Sequence, residues 1–124
     1  MYFVDANVLT QAFTENLNQE NCRKILFSEC VTNMLCLIEA FSMIQLIKKD
    51  KLSALQLIKS LFKTNCNIVD LDKNLLFETF RRIDKTNLDI SDLIHYTTAL
   101  INNCSEIVSY DKDFDGLEIK RIEP

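Results

Sequence analysis

Short apolar runs alternate with longer stretches of helical spacing along this chain. Residues 2–4, Tyr-Phe-Val, form a compact run that stops at Asp5, the pattern of a buried parallel strand ending in a polar loop. Residues 17–26 are weakly periodic and predict a helix. Cys30, Val31 and Thr32 predict a second strand, with Thr32 or Asn33 capping the helix that follows. That helix covers residues 34–48, and the apolar density between Val31 and Ile47 predicts that it is buried. Residues 50–63 predict another, with Leu52, Leu55, Ile58, Leu61 and Phe62 at helical spacing. Residues 68–71 read as a third strand, followed by a helix opened by Asp72 and carrying Leu75, Leu76, Thr79 and Ile83. A helix over 88–100 starts at Asp89 or Ser91; residues 107–110 give a fourth strand and 119–122 a fifth.

Strands alternating with helices call for a parallel sheet covered on both faces. The expected fold is therefore α/β, a three-layer α/β/α sandwich with a short central parallel sheet of Rossmann-like character. The 124 residues fit one domain spanning 1–124. One Gly and one Pro argue against a turn-rich β fold. With 48% hydrophobic and 26% charged residues, the composition is that of a water-soluble globular protein with a real core.

Five cysteines, odd in number and without a CxxC pair, argue against a disulfide framework or zinc knuckle and for buried reduced thiols. Met1 runs straight into the first strand, so no signal peptide is expected. The apolar stretch 31–47 is interrupted by Asn33, Glu39, Ser42 and Gln45 and is short for a membrane span. A cytoplasmic protein with no membrane contact is the expectation.

The net charge of −4 argues against a polyanionic partner unless the acids are clustered. Four carboxylates gathered around metal would account for the whole excess. The remaining surface would be balanced, leaving Arg23, Lys24, Lys48, Lys49, Lys51, Arg81 and Arg82 for phosphates.

In parallel sheets ligands gather at the carboxyl ends of the strands, which decides which acids to examine. Asp5 ends the first strand, with Asn7 two residues on; a turn former or helix cap is the plainer reading of the pair. Glu39 is the one charged residue between Val31 and Ile47, and a lone buried carboxylate is costly unless paired or bound to metal. Asp92 lies in the first turn of its helix, where capping and the helix dipole favour an acid for structural reasons alone. Asp111, Asp113 and Asp115 follow the fourth strand as either a solvated acidic loop or a cation site. Together they form an oxygen-rich set of the kind hard divalent ions prefer, and two such ions can hydrolyse a phosphodiester. The chain has a single histidine, His95, so no Ser/His/Asp or Cys/His set competes; His95 reads as an ordinary helix residue.

The order of these residues resembles the PIN-domain family, and within it the VapC-type toxins. Met1-Tyr2-Phe3-Val4-Asp5-Ala6-Asn7-Val8-Leu9 is similar to the family's first motif, a strand ending in Asp-x-Asn or Asp-x-Ser. Leu37-Ile38-Glu39-Ala40-Phe41 resembles the second, and the segment from Ser91-Asp92-Leu93 to Ala99-Leu100 the third. Ile107-Val108-Ser109-Tyr110-Asp111-Lys112-Asp113-Phe114 resembles the fourth, with its Asp-Phe step. The resemblance implies a PIN-like fold and RNA cleavage dependent on Mg²⁺ or Mn²⁺. It carries over Asp5, Glu39, Asp92 and Asp111 as catalytic metal ligands, Asp113 as a further ligand, and Asn7 and Ser109 as supporting residues. For the toxin branch it implies a homodimer and a small antitoxin protein. The helices over 34–48 and 50–63 are the candidate surface for that contact, or else simply core. Departures are Ser109 for the commoner Thr, Leu93 for the usual Ala, and the bulky His95-Tyr96-Thr97.

Three other readings compete. A haloacid-dehalogenase-type phosphotransferase would use Asp5 as nucleophile but needs an acid where Asn7 stands. A calcium loop at Asp111-Asp113-Asp115-Gly116 lacks its glutamate, since Ile122 occupies that position. A PIN fold that binds RNA or protein without cutting is the third.

Overall fold

Tyr2–Val4 (β1) is the middle strand of a five-stranded, all-parallel sheet in the computed structural model, which describes residues 1–124. Phe3 stands opposite Val31 on one neighbour and Ile107 on the other, and Phe3 and Val4 are fully buried. A strand covered on both faces and both edges has no use for polar side chains, which is why this run is uniformly apolar.

From β1 the chain forms α1 (Ala6–Ala12) and α2 (Gln19–Phe27), then β2 (Cys30–Asn33). It continues through α3 (Met34–Lys48) and α4 (Lys51–Leu61) to β3 (Asn67–Val69). Next come α5 (Lys73–Phe80) and α6 (Ile90–Ile101), then β4 (Glu106–Val108), a 3₁₀ turn over Lys112–Phe114, and β5 (Lys120–Ile122). The sheet order is β3-β2-β1-β4-β5. Helix α1 packs on α2 and α3, α3 packs on α4, and α5 packs on α6. Right-handed crossovers put these two sets on opposite faces, the expected three-layer sandwich. Strand order reverses between β1 and β4, so their carboxyl ends flank the crevice where such sheets bind ligands.

Most helices start where a capping side chain is available. Asn33 accepts from the Cys36 N–H at 2.8 Å, Asp72 from Leu75 at 2.9 Å and Asp89 from Asp92 at 2.9 Å. Lys49 turns the chain between α3 and α4 in the left-handed region, φ 56°, and Asp50 caps α4.

Several boundaries differ from those expected. The segment after Asp5 is a helix, α1, where the pattern suggested a loop. Ala6, Val8, Leu9, Thr10 and Ala12 are all buried, so a polar face is nearly missing and helical periodicity is hidden. Leu17 is exposed ahead of α2, and Ile83 lies beyond the end of α5. Strand β3 ends before Asp70, and β4 ends before Ser109, although Ser109 N still donates to Ile122 O at 3.0 Å.

The larger correction concerns α3. Only Cys36, Leu37, Ala40 and Ile44 are buried, while Met34, Ile38, Met43, Leu46 and Ile47 are exposed. One side packs on α1 and α4; the other is apolar yet uncovered in the single chain. The five cysteines are buried and free, as expected. No helix is long and apolar enough to cross a membrane.

Candidate active site

The crevice at the switch point opens into a cavity of about 430 Å³. Asp5, Asn7, Glu39, Asp92 and Asp111 line it, with Ala6, Thr10 and Gln11 from α1 and Met43 and Ile47 from α3. Four acids from four separate segments thus meet in one place.

Asp5 is held most tightly. Its backbone N–H donates to Val108 O at 3.1 Å, fixing it beside β4. One carboxylate oxygen caps α1 through the Ala6 N–H at 2.8 Å; the other accepts from Ser109 Oγ at 2.6 Å and Asn7 Nδ2 at 3.3 Å. Asp5 therefore both caps α1 and lines the cavity. Burial raises the Asp5 carboxyl above its ordinary value, and the Ser109 and Ala6 hydrogen bonds work against that rise.

Ser109 is the hub. While its hydroxyl donates to Asp5, it accepts from Asn7 Nδ2 at 3.1 Å and from the Asp111 N–H at 3.0 Å. A hydroxyl has one proton and two lone pairs, so all three are used. Asn7 Oδ1 accepts from Tyr110 N at 3.3 Å, tying α1 to the loop after β4. Ser109→Ala removes all three bonds and leaves a buried carboxylate short of its hydroxyl donor. The expected loss of stability is about 1.5–3 kcal/mol at pH 8, read by urea unfolding. Ser109→Thr, which keeps the hydroxyl, should lose much less.

Asp92 points its carboxylate into the cavity because Asp89 has taken over the cap of α6. Burial, and then the charges of Asp89, Asp111 and Asp5, push the Asp92 carboxyl up to about 7. Asp111 N-caps the 3₁₀ turn, accepting from Asp113 N at 2.9 Å. Asp113 is exposed at the rim; carboxylate oxygens of Asp92, Asp111 and Asp113 lie within 4.8 Å of one another. Asp115 turns away and pairs with Arg121 at 2.7 Å, which removes it from any calcium loop.

Glu39 is not the buried, lone carboxylate that the apolar run suggested. Its side chain is 38% exposed at the cavity, and Oε1 accepts from His95 Nε2 at 2.6 Å. His95, expected to be an ordinary helix residue, is buried beside the site. Asn33 Nδ2 faces its Nδ1 at 3.0 Å, Cys36 Sγ lies 3.4 Å away, and Phe3 stacks on the ring at 5.8 Å between centroids. The signal for it was present: a lone histidine three residues after Asp92 shares that acid's helix face. Nothing in the sequence linked Asn33 to it.

Among the cations expected to meet phosphate, Lys24 pairs with Glu20, and Arg81 and Arg82 pair with Glu78. Arg23 donates to Ala12 O at 2.9 Å. Lys48, Lys49 and Lys51 form no ion pair and sit at the turn that follows Ile47 out of the cavity.

A family model for the PIN domain matches residues 2–120. No curated protein sequence matches the chain. VapC20 of Mycobacterium tuberculosis, described as a sarcin–ricin loop-cleaving toxin, superposes with a TM-score of 0.80 at 13% identity, over 100% of both chains. A chain of a toxin–antitoxin complex from Klebsiella pneumoniae gives 0.77 at 14% identity, over 100% of this chain and 98% of that one. At these identities the two likenesses speak to the fold.

Proposed function

Because the chain belongs to the PIN-domain family, we propose that it is a divalent-metal-dependent ribonuclease and the toxin half of a toxin–antitoxin pair. One observation carries this reading: Asp5, Glu39, Asp92 and Asp111 converge on a single cavity at the carboxyl ends of β1 and β4.

The donor set fits Mg²⁺ or Mn²⁺. It consists of carboxylate oxygens, the ligands hard cations prefer, and the Asp92 carboxyl is raised by burial and then by the like charges of Asp89, Asp111 and Asp5. Asp5, Glu39, Asp92 and Asp111 would hold the metal, with Asp113 completing the rim. Asp5, Cys36 and His95 also lie within 4.8 Å of one another. Burial pushes the Cys36 thiol up, however, and both His95 nitrogens have partners, so this second group suits no cation. A bound divalent ion would supply the Lewis acidity that activates water and stabilises the leaving oxygen in phosphodiester hydrolysis.

The chain's own residues do the rest. Ser109 and Asn7 fix Asp5 and Asp111 relative to each other before substrate arrives. Lys48, Lys49 and Lys51 offer a cationic path for the RNA backbone leading from the cavity. The cavity is open to one side, suiting a polymer strand.

The uncovered apolar surface of α3 and α4 is assigned to protein partners, a small antitoxin and a second copy of the chain. Met34, Leu37, Ile38, Phe41, Ile58 and Phe62 line an all-apolar groove there. Ile38 is adjacent to Glu39, and Met43 and Ile47 of the same helix line the acid cavity, so a segment docked on α3 would border the site. Five reduced thiols suit a cytoplasmic location.

Asp5→Asn tests the reading. It keeps the cap on α1 but removes a ligand, so cleavage of transfer, ribosomal and messenger RNA should be lost with far-UV circular dichroism unchanged. Cutting by this variant at the wild-type rate would reject the site.

A further inference from the structure

His95 is a buried ring hydrogen-bonded to a cavity-lining acid, and metal chemistry on carboxylates leaves it without a task. A chain of hydrogen bonds sets its tautomer. Asn33 Oδ1 accepts from the Cys36 N–H at 2.8 Å, so the amide nitrogen must be the atom facing the ring. That Nδ2 has two protons and two acceptors, His95 Nδ1 and Thr98 Oγ1, each at 3.0 Å. Thr98 Oγ1 can accept because its own proton goes to Ile94 O at 2.8 Å. His95 Nδ1 is therefore an acceptor, and the ring proton sits on Nε2, directed at Glu39.

With the ring proton on Nε2, Asn33 donates to one ring nitrogen and Glu39 accepts from the other.

Resting on the proposed nuclease reading, we propose that His95 is a positioning residue: its Nε2–H fixes one oxygen of Glu39 and leaves the other for the metal. The side chain that sets the tautomer, Asn33, also caps α3, the helix carrying Glu39. Phe3 of the central strand stacks on the ring and limits its rotation. Glu39, like Asp92, has no backbone donor to orient it, and His95 is its one hydrogen-bond partner. Asp5 is oriented by Ala6 N, and Asp111 by Asp113 N. Partners that orient a ligating carboxylate typically change metal affinity by about 10–100-fold.

The test compares Mn²⁺ binding by isothermal calorimetry in wild type, His95→Leu and His95→Gln, with Glu39→Gln as a second background. His95→Leu should weaken Mn²⁺ binding by roughly 10–100-fold, and His95→Gln, which keeps an N–H, should recover most of it. In the Glu39→Gln background His95→Leu should add less than about twofold, because the carboxylate that His95 orients toward metal is already gone. Full Mn²⁺ affinity in His95→Leu, or an equal loss with and without Glu39, would overturn the positioning role while leaving the nuclease reading intact. No Mn²⁺ binding by the wild type would overturn both.

A second measurement reads the ring directly. His95 is the chain's only histidine, so its imidazole ¹⁵N signals are unambiguous. They should show a proton on Nε2 that shifts on adding Mg²⁺ in wild type and stays put in Glu39→Gln. A ring protonated on Nδ1 alone would break the Glu39 bond and sink the proposal.

Discussion

Asp92→Asn is expected to cut RNA cleavage by on the order of a thousandfold, because it removes a preorganised charge from the reacting centre. The same substitution should make the metal-free protein more stable at pH 8. Burial and the neighbouring acids Asp89, Asp111 and Asp5 raise the Asp92 carboxyl from 3.8 to about 7. A folded pKa above the unfolded one means that the native state holds its proton more firmly. The associated stability is fully present below about pH 4 and is lost as pH rises through 7. Wild type without metal should thus melt lower at pH 8 than at pH 5, and Asp92→Asn should flatten that slope. Adding Mg²⁺ at pH 8 should raise the melting temperature of wild type but not of the variant. Thermal melts at both pH values, with EDTA and with Mg²⁺, read all of this. A variant that is less stable than wild type at pH 8 in EDTA would contradict the clustered-charge account.

The second large effect concerns the scaffold. Phe114 is fully buried and closes the 3₁₀ turn that carries Asp111 and Asp113. Phe114→Ala should cost about 3–5 kcal/mol, from lost burial and the cavity left behind. That is a large share of the roughly 5–15 kcal/mol available to an ordinary domain. The urea midpoint should fall with the slope little changed. Mn²⁺ affinity should also fall in the fraction that stays folded, since Asp111 loses its anchor. Asp111→Asn provides the contrast, losing affinity with little loss of stability. Equal stability of Phe114→Ala and wild type would mean that this turn is not seated in the core.

Much of this was legible in the sequence for physical reasons. Buried parallel strands are short and mostly apolar, as Tyr2-Phe3-Val4 and Cys30-Val31-Thr32 are. The acids at the ends of β1 and β4 were visible because the switch-point rule says where to look. Four acids in family order then separated Asp92 from an ordinary first-turn carboxylate, which its local context could not do. The structure supplies the reason: Asp89 is the cap, so Asp92 is free.

What stayed hidden depended on three-dimensional partners. Helix α1 was lost because a helix buried nearly all round has no polar stripe to betray it. Helix α3 misled in the opposite sense, since an apolar surface left uncovered in the single chain reads like one kept apolar for the core. His95 and Asn33 lie 62 residues apart, and only the packing of α6 beside β2 brings amide to ring.

The most direct measurement is cleavage of labelled RNA by wild type and Asp92→Asn with Mg²⁺, with Mn²⁺ and with EDTA. The account predicts cutting by wild type with either metal, none in EDTA, and cutting slower by on the order of a thousandfold in the variant with either metal. Undiminished cutting in EDTA, or a well-folded wild type that leaves transfer, ribosomal and messenger RNA intact with both metals, would contradict it.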